Sequence, residues 1–124
     1  MGVRQMNITK KLCLFITPLF LLLSYPAFAY IDKGVAVVRV MDKAAGKTQL
    51  ASIKVGQTIQ RDGLTIRVRN CKQSDPFDAE NFFGFFEIYT KTDGRIFSGW
   101  MNRNEPGQNP LQDDTYDVWL ERCE

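Results

Sequence analysis

The sequence contains no histidine, only three cysteines and no apolar run long enough to cross a membrane comfortably. The lack of histidine excludes mechanisms that need an imidazole base and metal sites that need an imidazole ligand. With 124 residues, the chain has room for one domain, since a typical domain takes roughly 100–150 residues. A content of 44% hydrophobic and 24% charged residues is typical of a globular protein and excludes disordered, collagen-like and coiled-coil chains.

The first 29 residues have the layout of a secretory signal peptide. Three basic residues precede an apolar run over residues 12–23, and Ala27-Phe28-Ala29 provides a small-x-small cleavage site. The run is shorter than the roughly 20 residues of a transmembrane helix, and an uncleaved membrane anchor is the alternative. We therefore predict cleavage after Ala29, export to the bacterial periplasm or secretion, and a single β domain over residues 30–124 with no stable membrane span.

Cleavage would change the charge balance of the protein. The full chain has 16 basic and 14 acidic residues, and three of the basic ones lie in the predicted signal peptide. The exported chain would therefore carry 13 basic side chains against 14 acidic ones. Because nucleic-acid binding depends on clustered positive charge, this balance argues against a nucleic-acid partner.

Two cysteines, Cys71 and Cys123, remain after cleavage. Outside the cytosol, two cysteines in a small domain usually form one disulfide, and their spacing is not the Cys-x-x-Cys of a redox-active pair. We therefore predict one structural disulfide. Strict alternation places both cysteines away from the apolar faces of their predicted strands, so either they lie beyond the strand ends or bulges shift the register.

The rest of the chain alternates short β-type runs with turn signals, and no segment has the pattern of an amphipathic helix. Arg61-Asp62-Gly63 and Asp93-Gly94 are typical of tight hairpin turns. The pattern predicts an all-β fold, a small antiparallel barrel or sandwich of about seven strands. The predicted strands cover residues 35–41, 49–55, 57–60, 64–71, 82–90, 95–101 and 115–121.

Two long segments, residues 72–81 and 102–114, are neither strands nor tight turns. Loops of this length are often functional because a rigid scaffold presents them, and the alternative is that they are solvated connections. Asp75, Asp78 and Glu80 could offer oxygen ligands to calcium, but their spacing does not follow the twelve-residue calcium loop. The sequence therefore predicts no metal site and no cofactor.

Four short strings and the last cysteine resemble one known family. The strings are Val55-Gly56-Gln57-Thr58, Val68-Arg69-Asn70-Cys71, Phe97-Ser98-Gly99-Trp100-Met101 and Tyr116-Asp117-Val118-Trp119, followed by Cys123. With them the chain resembles the domain of unknown function 2155 family from about Val35 to Cys123. The resemblance implies a small exported bacterial protein, mainly of alphaproteobacteria, with one domain in the cell envelope. It implies no catalytic residue and no ligand.

Aromatic residues are in excess after the predicted cleavage site, where 11 occur. One face of a small sheet cannot bury them all, so some fill the core and others are expected to form at least one surface cluster. An exposed aromatic cluster is the usual mark of a protein or glycan contact. The predicted binding patch comprises Phe85, Tyr89, Phe97, Trp100 and Trp119.

These features lead to three functional hypotheses. The first is a non-catalytic binding or accessory module for another envelope protein. The second is a small secreted inhibitor that inserts residues 102–114 into the cleft of an enzyme. The third is a carboxylate-type hydrolase built on Glu87, Asp113, Asp114 and Asp117, for which a chain of this size leaves little room. We predict no catalytic residues.

Overall fold

The computed structural model describes residues 30–124, so the predicted signal peptide over residues 1–29 lies outside the described residues. All regular elements of the described part are strands, which confirms the all-β prediction. Each of the seven predicted strands is present, with ends that differ by at most two residues. The strands are β1 (Ile31–Asp32), β2 (Val35–Asp42), β3 (Lys47–Lys54), β4 (Thr58–Arg61), β5 (Leu64–Gln73), β6 (Phe82–Thr90), β7 (Gly94–Asn102) and β8 (Tyr116–Cys123).

The strands form two antiparallel sheets that pack as a sandwich. In the five-stranded sheet, β5 pairs with β6 and β6 with β7, while β1 and β4 both pair with β5. The three-stranded sheet has the order β3-β2-β8. Alternating apolar residues of both sheets meet in one core, as period-two alternation requires. Within residues 30–124, no helix is long and apolar enough to span a membrane.

The two predicted hairpin turns are present. Asp62 and Gly63 connect β4 to β5, and Asp62 has a φ of 55°, a left-handed conformation that aspartate tolerates better than most residues. Gly94, which begins β7, has a φ of 70°. These turns set the registers in which Arg61 faces Leu64 and Thr90 faces Gly94.

A disulfide between Cys71 of β5 and Cys123 of β8 joins the two sheets through the core, which confirms the predicted bond. The pairing of β5 with β6 is irregular around Arg69, and that of β8 with β2 is irregular around Glu121. Each irregularity adds one residue and turns the following cysteine toward the core. Of the two explanations for the cysteine positions, bulges in the strands are therefore the correct one.

Gly84 of β6 faces the core beneath the ring of Phe86, and we expect Gly84→Ala to lower the free energy of unfolding by about 1–3 kcal/mol because it overpacks the core. A Cβ there would lie 2.7 Å from Cζ of Phe86 and 3.4 Å from Cδ2 of Leu120. Urea denaturation measures the change. Gly107→Ala is the matched control, since its Cβ would meet no atom within 4 Å; equal effects of the two substitutions would contradict this packing.

Candidate functional site

The outer face of the five-stranded sheet combines aromatic and basic side chains. Strand pairing places Tyr89 beside Arg95, and it places Phe85 beside Trp100. On the same face, the pairing of β6 with β5 places Phe83 beside Lys72. We call this surface the aromatic–basic face. Its members are Tyr30, Phe83, Phe85, Tyr89, Trp100, Arg67, Arg69, Lys72 and Arg95.

Aromatic contacts give one end of this face a fixed shape. The rings of Phe85 and Trp100 meet edge to face with centroids 5.4 Å apart, and those of Tyr30 and Phe83 meet in the same way at 5.4 Å. Lys72 Nζ lies 5.8 Å from the centre of the Trp100 ring, within the range of a cation–π contact. Tyr30, Lys72, Phe83 and Trp100 line a shallow cleft of about 170 Å³. Trp100 is 43% exposed, so much of its ring is open to a ligand.

Glu87 lies at the centre of the aromatic–basic face and holds two of its side chains by hydrogen bonds. It is buried, accepts a hydrogen bond from Arg69 Nε, and accepts another from the Tyr89 hydroxyl at 2.7 Å. The hydrogen bonds from Arg69 and then Tyr89 hold the pKa of Glu87 below its ordinary value. The hydrogen bond to Glu87 raises the pKa of Tyr89. Glu87 therefore orients one basic and one aromatic side chain of the face.

Glu87→Gln is expected to destabilise the protein at neutral pH and to have a smaller effect in acid. Because the folded pKa of Glu87 is lower than the unfolded one, its contribution is present above the unfolded value of about 4.3. The contribution is lost as the pH falls through the folded pKa. Thermal unfolding of both chains between pH 7 and pH 2 measures the difference. A difference that grows toward low pH would contradict the assigned ion pair.

The outer face of the three-stranded sheet has a different character. Trp119 and Leu50 lie on either side of Arg39 there. Arg39 Nε donates to Glu121 Oε1 at 2.6 Å, and this bond lowers the pKa of Glu121. Arg122 forms a second ion pair with Glu124. Arg39 and Arg122 are thus each paired with a nearby carboxylate, whereas the exposed Lys54 of β3 has no carboxylate within salt-bridge distance among residues 30–124.

The structure divides the five residues of the predicted patch. Phe85, Tyr89 and Trp100 lie together on the aromatic–basic face. Phe97 does not belong to it, because it points into the core and is only 8% exposed. Trp119 lies on the outer face of the other sheet, beside Arg39. The five residues therefore do not form one surface patch, since strand pairing directs Phe97 into the core and Trp119 to the outer face of the other sheet.

Sequence reasoning missed six contributors to the face: the aromatic residues Tyr30 and Phe83 and the basic residues Arg67, Arg69, Lys72 and Arg95. Phe83 lies two residues before Phe85, a spacing that puts both on one side of a strand, so this signal was available. Lys72 and Tyr30 join the face through the pairing of β5 with β6 and through the ring contact with Phe83. Those contacts are distant in sequence, and no local pattern indicates them.

The long loops and the acidic residues have mainly structural contacts. Asp75 accepts a hydrogen bond from the Phe77 amide, and Glu80 pairs with Arg103. Asp113 accepts from the amides of Thr115 and Tyr116. Within residues 30–124, no three acidic or cysteine side chains are grouped so that they could hold a metal ion. Glu87 and Asp117 lie on the outer faces of different sheets, so they do not form a carboxylate pair.

Comparison with known proteins agrees with the resemblance noted in the sequence. Residues 36–123 match the sequence profile of a family described as uncharacterized proteins conserved in bacteria, DUF2155. No curated protein and no solved structure matches the chain. The matched region begins within β2 and ends at the second cysteine of the disulfide. The chain therefore belongs to the DUF2155 family.

Proposed function

We propose that this protein is exported to the periplasm and acts there as a non-catalytic binding or accessory module for another envelope protein. The aromatic–basic face is the proposed contact surface, and its partner is a protein with an acidic surface. The observation that carries the proposal is the combination on one sheet face of exposed Trp100, the paired rings around it and several cations. Aromatic and arginine side chains are the residues that most often dominate binding energy at protein interfaces.

The charges of the aromatic–basic face support an acidic partner. The aromatic–basic face carries four cations and has two carboxylates near them. Glu87 is paired with Arg69, and Asp32 lies 3.9 Å from Lys72. The exposed Arg95 has no carboxylate within salt-bridge distance among residues 30–124. Complementary charge steers association and selects partners, so an acidic surface fits this face best.

Two features support export. Residues 1–29 have the composition and order of a signal peptide. The Cys71–Cys123 bond is of a kind that persists in oxidising compartments such as the periplasm. An envelope protein is accordingly the partner class that this chain would meet.

The inhibitor hypothesis receives less support from the loop on which it depends. Leu111 is buried in the core at 5% exposure, and Asn109 Nδ2 donates to the carbonyl of Trp100 at 3.0 Å. Both contacts hold residues 103–115 against the sandwich. A loop that inserts into the cleft of an enzyme would instead project from the body of the inhibitor.

Photo-crosslinking in intact cells tests the proposal. Ser98 and Ser52 are matched sites, because both are exposed serines within strands and they lie on the outer faces of different sheets. With a photoreactive amino acid at either position of the full chain, we expect one discrete protein adduct from position 98 and none from position 52. The adduct should disappear when Arg95→Glu is added. Adducts from position 52 alone, or equal adducts from both, would overturn the proposal.

A further inference from the structure

Tyr30 is the first residue that the structure describes, and it lines the shallow cleft of the aromatic–basic face. It lies directly before β1, where Asp32 pairs with Lys72 of β5. Residues two positions apart in an extended chain share a side, so Tyr30 projects onto the same face as Asp32 and Lys72. Its ring contacts that of Phe83 edge to face, with centroids 5.4 Å apart. The strand pairing and the ring contact therefore hold Tyr30 at the cleft.

The predicted cleavage site places a new chemical group at this residue. Hydrolysis of the Ala29–Tyr30 amide bond by a signal peptidase consumes one water, whose hydroxyl joins the Ala29 carbonyl while its hydrogen joins the Tyr30 nitrogen. The resulting α-amino group has an ordinary pKa of about 7.7–8.0, so most of it is protonated at neutral pH. Covalent geometry keeps this nitrogen within about 5 Å of the centre of the Tyr30 ring. Because that residue lines the cleft, cleavage adds a positive charge at the edge of the cleft.

The added charge changes the balance of the cleft. Lys72 Nζ lies 5.8 Å from the centre of the Trp100 ring and 3.9 Å from a carboxylate oxygen of Asp32. These two opposite charges offset each other before cleavage. Among residues 30–124, no other carboxylate lies within salt-bridge distance of Lys72, so the α-ammonium group of Tyr30 leaves a net positive charge. The cleft of the exported protein is therefore suited to an anionic group.

We propose that signal-peptide cleavage completes a carboxylate-binding subsite in this cleft, formed by the α-ammonium group of Tyr30 and the side-chain ammonium group of Lys72. Its ligand is an acidic side chain of the envelope partner, next to an apolar residue in the partner's sequence. This inference rests on the proposed export and contact surface. It adds to them the group that the cleft recognises and the processing step that completes the subsite.

The walls of the cleft account for the apolar neighbour. Phe83 and Trp100 line it, and its volume is about 170 Å³. Pockets that enclose a whole small molecule measure about 300–1,000 Å³, so this cleft has room for little more than one side chain. An aliphatic side chain fits against the two aromatic residues, while the adjacent carboxylate reaches the ammonium groups of Tyr30 and Lys72. Hydrogen bonds between charged partners are stronger than those between neutral ones.

Asp32 is an internal competitor for the subsite. Its side chain is 80% exposed, and its carboxylate oxygen lies 3.9 Å from Lys72 Nζ. Ion pairs between exposed groups contribute little to stability, so a carboxylate of the partner displaces this contact easily. Asp32→Asn is accordingly expected to raise the affinity for an acidic ligand about twofold. A lower affinity in this variant would overturn the proposal, because it would make Asp32 part of the site.

Two blocked dipeptides provide the probe, each with an acetylated amino terminus and an amidated carboxyl terminus. One joins leucine to glutamic acid and the other joins leucine to glutamine, so the glutamate and glutamine peptides differ by one charge. Protein purified after export is first checked by intact mass for a start at Tyr30. Trp119→Phe leaves Trp100 as the single tryptophan, so the emission reports on the cleft. We expect an affinity for the glutamate peptide at least about fivefold above that for the glutamine peptide, and equal affinities would overturn the proposal.

Carbamylation tests the role of the α-amino group itself. Cyanate at mildly acidic pH modifies this group in preference to lysine, whose ordinary pKa is about 10.4, and removes its charge. We expect the affinity for the glutamate peptide to fall about threefold and that for the glutamine peptide to stay constant. Lys72→Gln should have the same effect, whereas Lys54→Gln, an exposed lysine of β3 in the other sheet, should have none. Unchanged binding of the glutamate peptide after carbamylation would overturn the proposal.

The outcomes separate this inference from the proposed function. An exported product that starts at Tyr30 and forms the adduct from position 98, but does not distinguish the two peptides, would overturn the inference alone. An intact Met1 start would contradict both. Acetyl-leucine, which carries its carboxylate at the chain terminus, identifies the source of the ligand. Tighter binding of acetyl-leucine than of the glutamate peptide would assign the cleft to a chain terminus and overturn the assignment to an acidic side chain.

Discussion

Replacing both Cys71 and Cys123 by alanine is expected to lower the free energy of unfolding by about 4 kcal/mol. The disulfide joins residues 52 positions apart, and closing a loop of that length in the unfolded chain corresponds to about 4 kcal/mol in the chain-entropy account. Small domains are commonly stable by only about 5–15 kcal/mol. Loss of the bond therefore removes a large share of the stability, and it also separates the two sheets at one end of the core.

Urea denaturation of the exported protein measures this effect. The double alanine variant and the reduced wild-type protein should lose similar amounts of stability, because both lack the same bond. Single variants would each leave one free thiol, so the double variant is the appropriate comparison. A loss below about 1 kcal/mol would contradict the role assigned to the bond. Thiols that alkylate without a reductant would contradict the bond itself.

Trp100→Ala is expected to weaken binding of the envelope partner at least about 30-fold. Removing a central aromatic side chain from an interface commonly costs 2 kcal/mol or more, which corresponds to that factor. Trp100 contacts the Phe85 ring and lies near Lys72, so its loss also alters the positions of two neighbours. Its exposure of 43% means that the core loses little when it is truncated.

Two controls separate binding from folding in this experiment. Leu50→Ala removes a half-exposed side chain from the outer face of the other sheet and should change affinity less than about twofold. Unfolding curves of Trp100→Ala should stay within about 1 kcal/mol of the wild type. Isothermal titration with the partner identified by crosslinking gives the affinities. Unchanged affinity of Trp100→Ala in a folded protein would contradict the proposed contact surface.

Much of the fold followed from local sequence patterns. Apolar alternation in Leu64, Ile66 and Val68 predicted a half-buried strand, and those three side chains are buried in the core. The Asp62-Gly63 turn predicted the hairpin of β4 and β5. Alternation could not locate the bulges at Arg69 and Glu121, because a bulge depends on pairing with another strand. For this reason the disulfide was predictable from composition but the directions of its cysteines were not.

The candidate site was only partly predictable. Phe97 and Trp100 lie three residues apart in one strand, so alternation directs them to opposite faces, and this parity could have separated them. To predict the face on which Trp119 lies, one must know which sheet contains β8. That depends on the pairing of β8 with β2, which is distant in sequence. Grouping by residue type alone joined side chains that the sandwich places on three different surfaces.

Tryptophan emission gives the most direct test of the central claim that the aromatic–basic face is the contact surface. The chain has two tryptophans, and they lie on the outer faces of different sheets. In Trp119→Phe, the emission of Trp100 should shift to the blue and resist acrylamide quenching when the crosslinked partner is added. In Trp100→Phe, the emission of Trp119 should stay constant. A shift of Trp119 with no change at Trp100 would contradict the account.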